Sequence, residues 1–209
     1  MVELKTDTSI DAMHKAGQVV ASALTAVRDA ADVGVSLLEL DEVARGVLRA
    51  AGAASPFLGY RPSFASTPFP AVICASVNDA IVHGIPDGYR LRDGDLVSID
   101  CGAQLGGWAG DSAISFIVGT PRPADVRLIE TAERALAAGI GAAVVGNRIG
   151  DIAHAIGTVC RSGGYGIMED FGGHGIGRRM HEDPGVPNEG RPGRGCRCGT
   201  ACAWPSNPC

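Results

Sequence analysis

The chain has 209 residues, of which 45% are hydrophobic, and its 18 basic and 23 acidic side chains give a formal net charge of -5. This size and apolar content exclude a chain that is disordered throughout, and they predict one domain with a core or two small ones. The acidic balance argues against nucleic-acid binding, and no apolar run is long enough for a membrane span. The charged start differs from a secretory signal, so we expect a cytoplasmic protein.

Two amphipathic helices are predicted at the beginning of the chain. Apolar residues recur at steps of three and four over residues 10–31, with Thr8 or Ser9 placed as the cap. A second apolar stripe follows Ser36, which has a glutamate three residues later in the spacing of a capping box. Gly52 is the predicted stop of that helix.

The middle of the chain is predicted to form a loop, strands and a second pair of helices. Residues 55–70 are rich in Pro and Ser and predict a loop. Short apolar runs with β-branched residues predict strands at 71–76 and 95–100. Further helical patterns cover residues 124–145 and 149–161.

The two helical pairs are similar in sequence. Adding 112 to the residue numbers of the second helix aligns Gly34 with Gly146 and Gly52 with Gly164. Any two capped helices can be aligned about this well, so chance similarity stays open. A true repeat predicts two halves, each built of helix, helix and strands, with the second half incomplete at residue 209.

Two aspartates flank a predicted hairpin turn at residues 104–107. Pairing about that turn places Asp100 opposite or nearly opposite Asp111, with Cβ atoms about 5 Å apart. Facing carboxylates repel unless one is protonated or a cation lies between them, and carboxylate oxygens suit divalent metals. Two solvated aspartates on the polar face of a hairpin are the alternative.

Three histidines add to this chemistry. His174 has glycine on both sides in GGHGIG, His181 follows seven residues later, and His83 lies in HGIP after a predicted strand. Flanking glycines let an imidazole approach an ion or a substrate closely, although a glycine-rich surface turn with an incidental histidine stays possible. Aspartates and histidines together are the equipment of a metal-assisted hydrolase.

Three blocks of the sequence closely resemble the type I methionine aminopeptidases: SVNDAIVHGIP, the aspartate pair in SIDCG and GDSAISFIVG, and GGHGIGRRMHEDP. The resemblance extends from about residue 8 to residue 195. It implies the α+β pita-bread fold of two pseudo-symmetric halves, in agreement with the repeat. The implied activity is removal of the initiator methionine from nascent chains by a metal-bound hydroxide, in a cytoplasmic monomer with ribosome association as a further expectation.

The resemblance also implies a role for each candidate residue. Asp100, Asp111 and His174 match metal ligands for two divalent ions, drawn from cobalt, manganese, iron and zinc. His181 matches the histidine that contacts the scissile amide, and His83 matches the one near the leaving group and substrate amine. The methionine side-chain pocket, with residues 61–68 as an insertion beside it, would be lined by Cys74, Phe69, Met180 and Tyr60.

The sequence departs from the family at its C-terminal end. The family completes its metal site with two glutamates, one of them in an Ile-Glu-Pro segment, and Glu189 matches neither. We therefore expect weak binding of the second ion and impaired activity. From Pro187 onward there is no Leu, Ile, Val, Met or Phe, so this stretch is not expected to bury a strand face.

We predict a catalytic domain over residues 1–195, incomplete, and an aberrant tail over residues 196–209. A one-base shift of the reading frame near Gly195 is compatible with a hidden Ile-Glu-Pro. The alternative for the tail is a small zinc site or disulfide knot formed by Cys196, Cys198, Cys202 and Cys209.

Two other functions stay open. One is a non-catalytic binding module, or inactive fragment, of the same fold, which the missing glutamates favour. The other is an Xaa-Pro dipeptidase, which shares the fold. The SVNDAIVHGIP block and Cys74 favour methionine removal over the second, and the retained histidines and aspartates argue against a long-decayed enzyme.

Overall fold

The computed structural model describes residues 2–63 and 65–199. The chain divides into two compact units, one of residues 11–126 and the other of residues 1–10 with 127–209. In chain order the elements are α1 (Asp7–Ala30), α2 (Leu37–Ala50), β1 (Ile73–Val77), β2 (Leu96–Leu105), β3 (Trp108–Ile117), α3 (Pro123–Ala142), α4 (Ile149–Ser162), β4 (Gly172–Gly175) and β5 (Glu182–Pro187).

The first two helices form where their periodicity predicts them. In α2 the capping box is confirmed. The Ser36 hydroxyl accepts a hydrogen bond from the Glu39 amide at 3.3 Å, and the Glu39 carboxylate accepts one from the Ser36 amide at 2.8 Å. The cap of α1 lies two or three residues before the predicted Thr8 or Ser9. Thr6 provides it, since the Thr6 hydroxyl accepts the Ser9 amide at 3.2 Å.

Strands β1, β2 and β3 form an antiparallel sheet in that order. The hairpin between β2 and β3 turns at Gly106 and Gly107, whose φ angles of 59° and 79° fit a two-residue type I′ turn. This turn is shorter than the predicted four-residue connection, so the register differs by two residues. Asp100 pairs with Ala113, and Asp111 pairs with Gly102. The two aspartates are therefore not directly paired, as one form of the prediction had it, but are diagonal neighbours on adjacent strands.

One face of this sheet packs in the core of residues 11–126. Alternate residues of β2 are fully buried on that face, and the helices cover it with their apolar stripes. The core-facing residues of β2 are Val97, Ile99, Cys101 and Ala103. Strand alternation places Ser98 and Asp100 on the opposite face.

The second unit repeats the local geometry of the first. Helix α4 begins 112 residues after α2, and both helices have 14 residues. The Gly34 amide donates to the Leu91 carbonyl at 2.8 Å, and the Gly146 amide donates to the Cys198 carbonyl at 3.3 Å. Because both glycines also have positive φ, 91° and 97°, the equivalence confirms the internal repeat.

The described start of the predicted tail takes part in this repeat. The Cys198 amide donates to the Asn147 carbonyl at 2.7 Å, and the Cys198 side chain is buried against Ile149, Ile152 and Val186. The chain after Pro187 thus buries this small apolar thiol, although it lacks the large apolar residues that a buried strand face needs. Cys196 is an exposed free thiol. The remaining tail cysteines, Cys202 and Cys209, lie outside the described residues.

Among the helices that the structure describes, none combines the length and apolarity that a bilayer crossing requires.

Candidate metal and substrate site

Asp100 and Asp111 lie on the same face of the sheet in residues 11–126. Asp100 has Ala113 as its partner on β3 and Cys74 as its partner on β1, while Asp111 is paired with Gly102. Diagonal neighbours of this kind have Cα atoms about 7–8 Å apart, within the span of two carboxylates that share a cation. Asp100 and Asp111 therefore lie on the same sheet face in the observed register, as they do in the predicted one.

The two aspartates bring negative charge to this face. The Oδ1 atoms of Asp100 and Asp111 are buried. Burial, followed by the charges of the two aspartates, raises the pKa of the Cys74 thiol, and the same causes raise the pKa of Cys101 to about 12. Two half-buried carboxylates offer hard oxygen ligands, so the donor set fits a divalent cation.

A close approach of α1 to β3 fixes the backbone next to Asp111. A Cβ at Gly110 would lie 2.7 Å from the Gly17 nitrogen and 2.9 Å from the Ala16 carbonyl carbon. These neighbours are helix backbone and have no rotamer to change. Glycine at 110 therefore lets α1 pack on the strand that carries Asp111.

His83 follows β1 in a loop that is fastened to that strand. The Ala75 amide donates to the Gly84 carbonyl at 2.9 Å, and the Gly84 amide donates to the Ser76 hydroxyl at 3.1 Å. His83 itself is exposed, with a φ of 57° that is uncommon for a residue with a side chain. The loop thus holds His83 beside the strand that contains Cys74.

Tyr60 and Phe69 lie together at the base of the predicted insertion. The Phe69 amide donates to the Tyr60 carbonyl at 2.8 Å, and the Gly59 amide donates to the Phe69 carbonyl at 2.8 Å. The rings of Phe57 and Phe69 meet edge to face, with centroids 6.4 Å apart. These backbone hydrogen bonds join the two ends of the segment that is predicted to be an insertion.

Asp41 supports this region and was not predicted from the sequence. It is buried on α2, where its carboxylate accepts the Val72 amide at 2.7 Å and the Ile73 amide at 3.2 Å. Arg45 donates to the same carboxylate at 2.6 Å and to the Pro70 carbonyl at 3.0 Å. A charged residue on the apolar stripe of a predicted helix was the available signal.

The second unit brings His174 and His181 together. The GGHG segment is strand β4, not a surface turn, and His174 pairs with Gly185 of β5. The two imidazole centroids are 4.3 Å apart. His174 Nδ1 lies 2.9 Å from the Gly175 carbonyl, and a proton on Nδ1 in this hydrogen bond leaves Nε2 as the ligand atom. Met180 is half-buried in the turn before His181.

The structure thus places the predicted site residues in two groups. Asp100 and Asp111 share a face in one unit, and His174 and His181 share a hairpin in the other. Across residues 2–63 and 65–199, no group of three or more His, Cys, Asp and Glu side chains has an arrangement that could hold a metal. Glu189 forms an ion pair with Arg161, consistent with its match to neither family glutamate.

Comparison with known proteins identifies the class. Residues 11–199 match metallopeptidase family M24. The chain therefore belongs to that family of metal-dependent peptidases.

Within the family, methionine aminopeptidases are among the similar proteins. Methionine aminopeptidase 1 of Mycobacterium tuberculosis is 52% identical over 202 residues, which cover 93% of this chain and 74% of the relative. The crystal structure of methionine aminopeptidase from Thermotoga maritima has a TM-score of 0.92 at 33% identity and covers 98% of this chain and 80% of that one.

The predicted pita-bread fold is confirmed by these similarities. Prolidase from Pyrococcus furiosus matches with a TM-score of 0.76 at 22% identity, over 91% of this chain and 54% of that one. This more distant match supports the fold alone.

Proposed function

We propose that this chain hydrolyses the peptide bond that follows an N-terminal methionine, with the help of a divalent metal. The observation that carries the proposal is the pair of half-buried carboxylates, Asp100 and Asp111, on one sheet face beside Cys74. The proposed substrate follows from the names of the relatives, and the proposed metal dependence follows from the carboxylate pair. In this proposal His174 is the third protein ligand.

The residues have distinct tasks in the proposed reaction. A bound divalent ion supplies Lewis-acid polarisation and lowers the pKa of water, so that a nucleophile exists at neutral pH. His181 donates a hydrogen bond to the substrate carbonyl oxygen as charge develops there. His83 orients the free amine of the substrate, which distinguishes a chain terminus from an internal peptide bond.

The methionine side chain is proposed to enter an apolar pocket. The proposed lining consists of an un-ionised thiol from Cys74, two aromatic rings from Phe69 and Tyr60, and a flexible thioether from Met180. Such surfaces favour an unbranched thioether ligand through dispersion and sulfur–aromatic contacts. The raised pKa of Cys74 supports this role, because a neutral thiol adds no charge to the pocket.

A peptide assay tests the proposal directly. Metal-stripped protein is reconstituted with manganese or cobalt and given Met-Ala-Ser, with Leu-Ala-Ser and the dipeptide Ala-Pro as comparisons. We expect free methionine from the first peptide and little release from the others. Preferential cleavage of Ala-Pro would identify an Xaa-Pro dipeptidase. Metal-dependent binding of Met-Ala-Ser without hydrolysis would identify a non-catalytic module of the same fold.

The stoichiometry of metal binding is a separate part of the proposal. We propose that one ion binds more tightly than a second. Within the part of the chain that the structure describes, the candidate ligands are Asp100, Asp111 and His174, and Glu189 is engaged by Arg161. Calorimetry of the metal-free chain with manganese measures both sites. Two equally tight sites would contradict this assignment of ligands.

We also propose that the protein acts in the cytoplasm, as a monomer, on nascent chains that leave the ribosome. The substrate supports this, since an initiator methionine is first exposed at that point. Sedimentation equilibrium tests the oligomeric state, and co-sedimentation with translating ribosomes tests the association.

A further inference from the structure

Lys5 is a lysine whose charge is buried. Its side chain is only 2% exposed, and its Nζ lies 2.7 Å from one carboxylate oxygen of Glu182 and 3.0 Å from a carboxylate oxygen of Glu3. A buried ammonium is costly unless it is paired and hydrogen-bonded, so these partners are essential to its position. Glu182 is 177 residues away in the chain, which makes this a long-range contact.

Glu182 also closes the turn that carries His181. Its second carboxylate oxygen accepts the Arg179 amide at 3.1 Å, while the Gly177 amide donates to the Arg179 carbonyl at 3.1 Å. His181 immediately precedes Glu182 in this turn. One carboxylate therefore links the backbone of residues 177–182 to the ammonium of Lys5.

Close packing reinforces this link. A Cβ at Gly177 would collide with the Lys5 ammonium and with both oxygens of the Glu182 carboxylate. On the other side of the turn, Glu182 is the first residue of β5 and pairs with Gly175. Beside the ion pair, a cavity of about 340 Å³ is lined by Glu3, Arg179, His181, Glu182 and Asp183.

Both members of the pair are charged near neutral pH. Burial alone would lower the pKa of Lys5, but its hydrogen bonds to Glu182 and Glu3 outweigh burial and raise it. Burial alone would raise the pKa of Glu182, but its hydrogen bonds to Lys5 and to the Arg179 amide outweigh burial and lower it. The bond is thus charge-assisted, and such bonds are short and strong.

We propose that Lys5 is a positioning residue for His181, which it holds in place through the carboxylate of Glu182. The inference rests on the proposed function, in which His181 acts on the substrate carbonyl. A supporting residue of this kind typically affects the rate by about 10- to 100-fold, because a small displacement of the acting group weakens contacts made in the transition state.

The ion pair of Lys5 and Glu182, with the turn of residues 177–182 that it holds, is called the clamp below. Hydrogen–deuterium exchange of the full chain tests the clamp without reference to activity. Lys5→Met removes the ammonium and keeps the length of the side chain, and Lys15→Met is the matched control at an exposed lysine. We expect amides of residues 177–182 to exchange at least fivefold faster in Lys5→Met and at the wild-type rate in Lys15→Met. Unchanged exchange in Lys5→Met would overturn the clamp.

Kinetics with Met-Ala-Ser test the link to His181. Lys5→Met is expected to lower kcat by about 10- to 100-fold with KM within twofold of wild type, and Lys5→Arg is expected to restore most of the loss. In a His181→Ala background, Lys5→Met should lower kcat no further, since the residue that it positions is gone. A full additional loss there would overturn the positioning role.

The two measurements separate the possible failures. If wild-type protein releases no methionine but Lys5→Met exchanges faster at residues 177–182, the proposed function fails and the clamp stands. If Lys5→Met does not fold, Glu182→Gln replaces it, because it removes the charge and keeps an oxygen for the Arg179 amide. Slow, wild-type exchange in Glu182→Gln would equally overturn the clamp.

Discussion

Replacing Asp111 with asparagine should have opposite effects on stability without and with metal. The variant keeps the shape of the side chain and removes one of two negative charges on the same sheet face. For carboxylates about 7 Å apart at an effective dielectric constant of about 20, the repulsion is about 2 kcal/mol. In the metal-free protein, Asp111→Asn should therefore be more stable by up to that amount, which corresponds to a rise in Tm of several degrees.

With metal bound, wild-type protein should be more stable than Asp111→Asn. Wild-type protein at a free metal concentration 100 times Kd gains about 2.7 kcal/mol, and the variant gains less because it lacks a carboxylate ligand. Scanning calorimetry in EDTA and in manganese measures both states. The matched control is Asp29→Asn on the exposed surface of α1, which should show the metal response of wild type. A variant less stable than wild type in EDTA, or equally stabilised by manganese, would refute the shared cation site.

Two further predictions concern the packing and ionisation of the same sheet. Gly110→Ala should lower the free energy of unfolding by about 1–3 kcal/mol, because its Cβ meets the backbone of α1. Gly46→Ala, in α2 with open space around it, should raise the free energy of unfolding by about 0.5–1 kcal/mol. Urea titrations measure both variants. If Gly110→Ala were as stable as Gly46→Ala, the close packing of α1 on Gly110 would be contradicted. Above pH 9, stability should fall with pH by up to about 1.4 kcal/mol per unit from Cys101, because burial holds its pKa at about 12 while the thiol of the unfolded chain ionises near 8.5. Cys101→Ala should flatten this alkaline decline in chemical denaturation, and an unchanged slope would exclude Cys101 as its source.

Features with a local signal could be predicted from the sequence. The capping box at Ser36 and the apolar stripes of the helices depend on residues three and four apart, so the sequence is sufficient to predict them. The shared face of Asp100 and Asp111 was also predictable, because a register error of two residues leaves every side chain on the same face. The pairing itself was wrong, since the choice between a two-residue and a four-residue turn depends on the twist of the strands.

Long-range contacts leave no comparable signal in the sequence. Lys5 and Glu182 are 177 residues apart, and the residues around each of them do not indicate that the two form an ion pair. Asp41 holds the start of β1 from α2 across a separation of 31 residues. In both cases the charge is buried because a partner arrives from elsewhere in the chain. Only the folded structure shows that partner.

The internal repeat explains why composition failed to predict the burial of Cys198. In the first unit Leu37 donates its amide to the Tyr89 carbonyl at 3.1 Å, and Leu91, two residues later, is buried. In the second unit Ile149, the repeat equivalent of Leu37, donates its amide to the Cys196 carbonyl at 3.0 Å, and Cys198, two residues later, is also buried. Backbone amides and carbonyls make this ladder, so it forms with Gly, Arg and Cys as it does with Tyr and Leu. Hydrogen bonding of the backbone therefore fixes which side chain points inward, and the repeated ladder continues past Pro187 as far as Cys198.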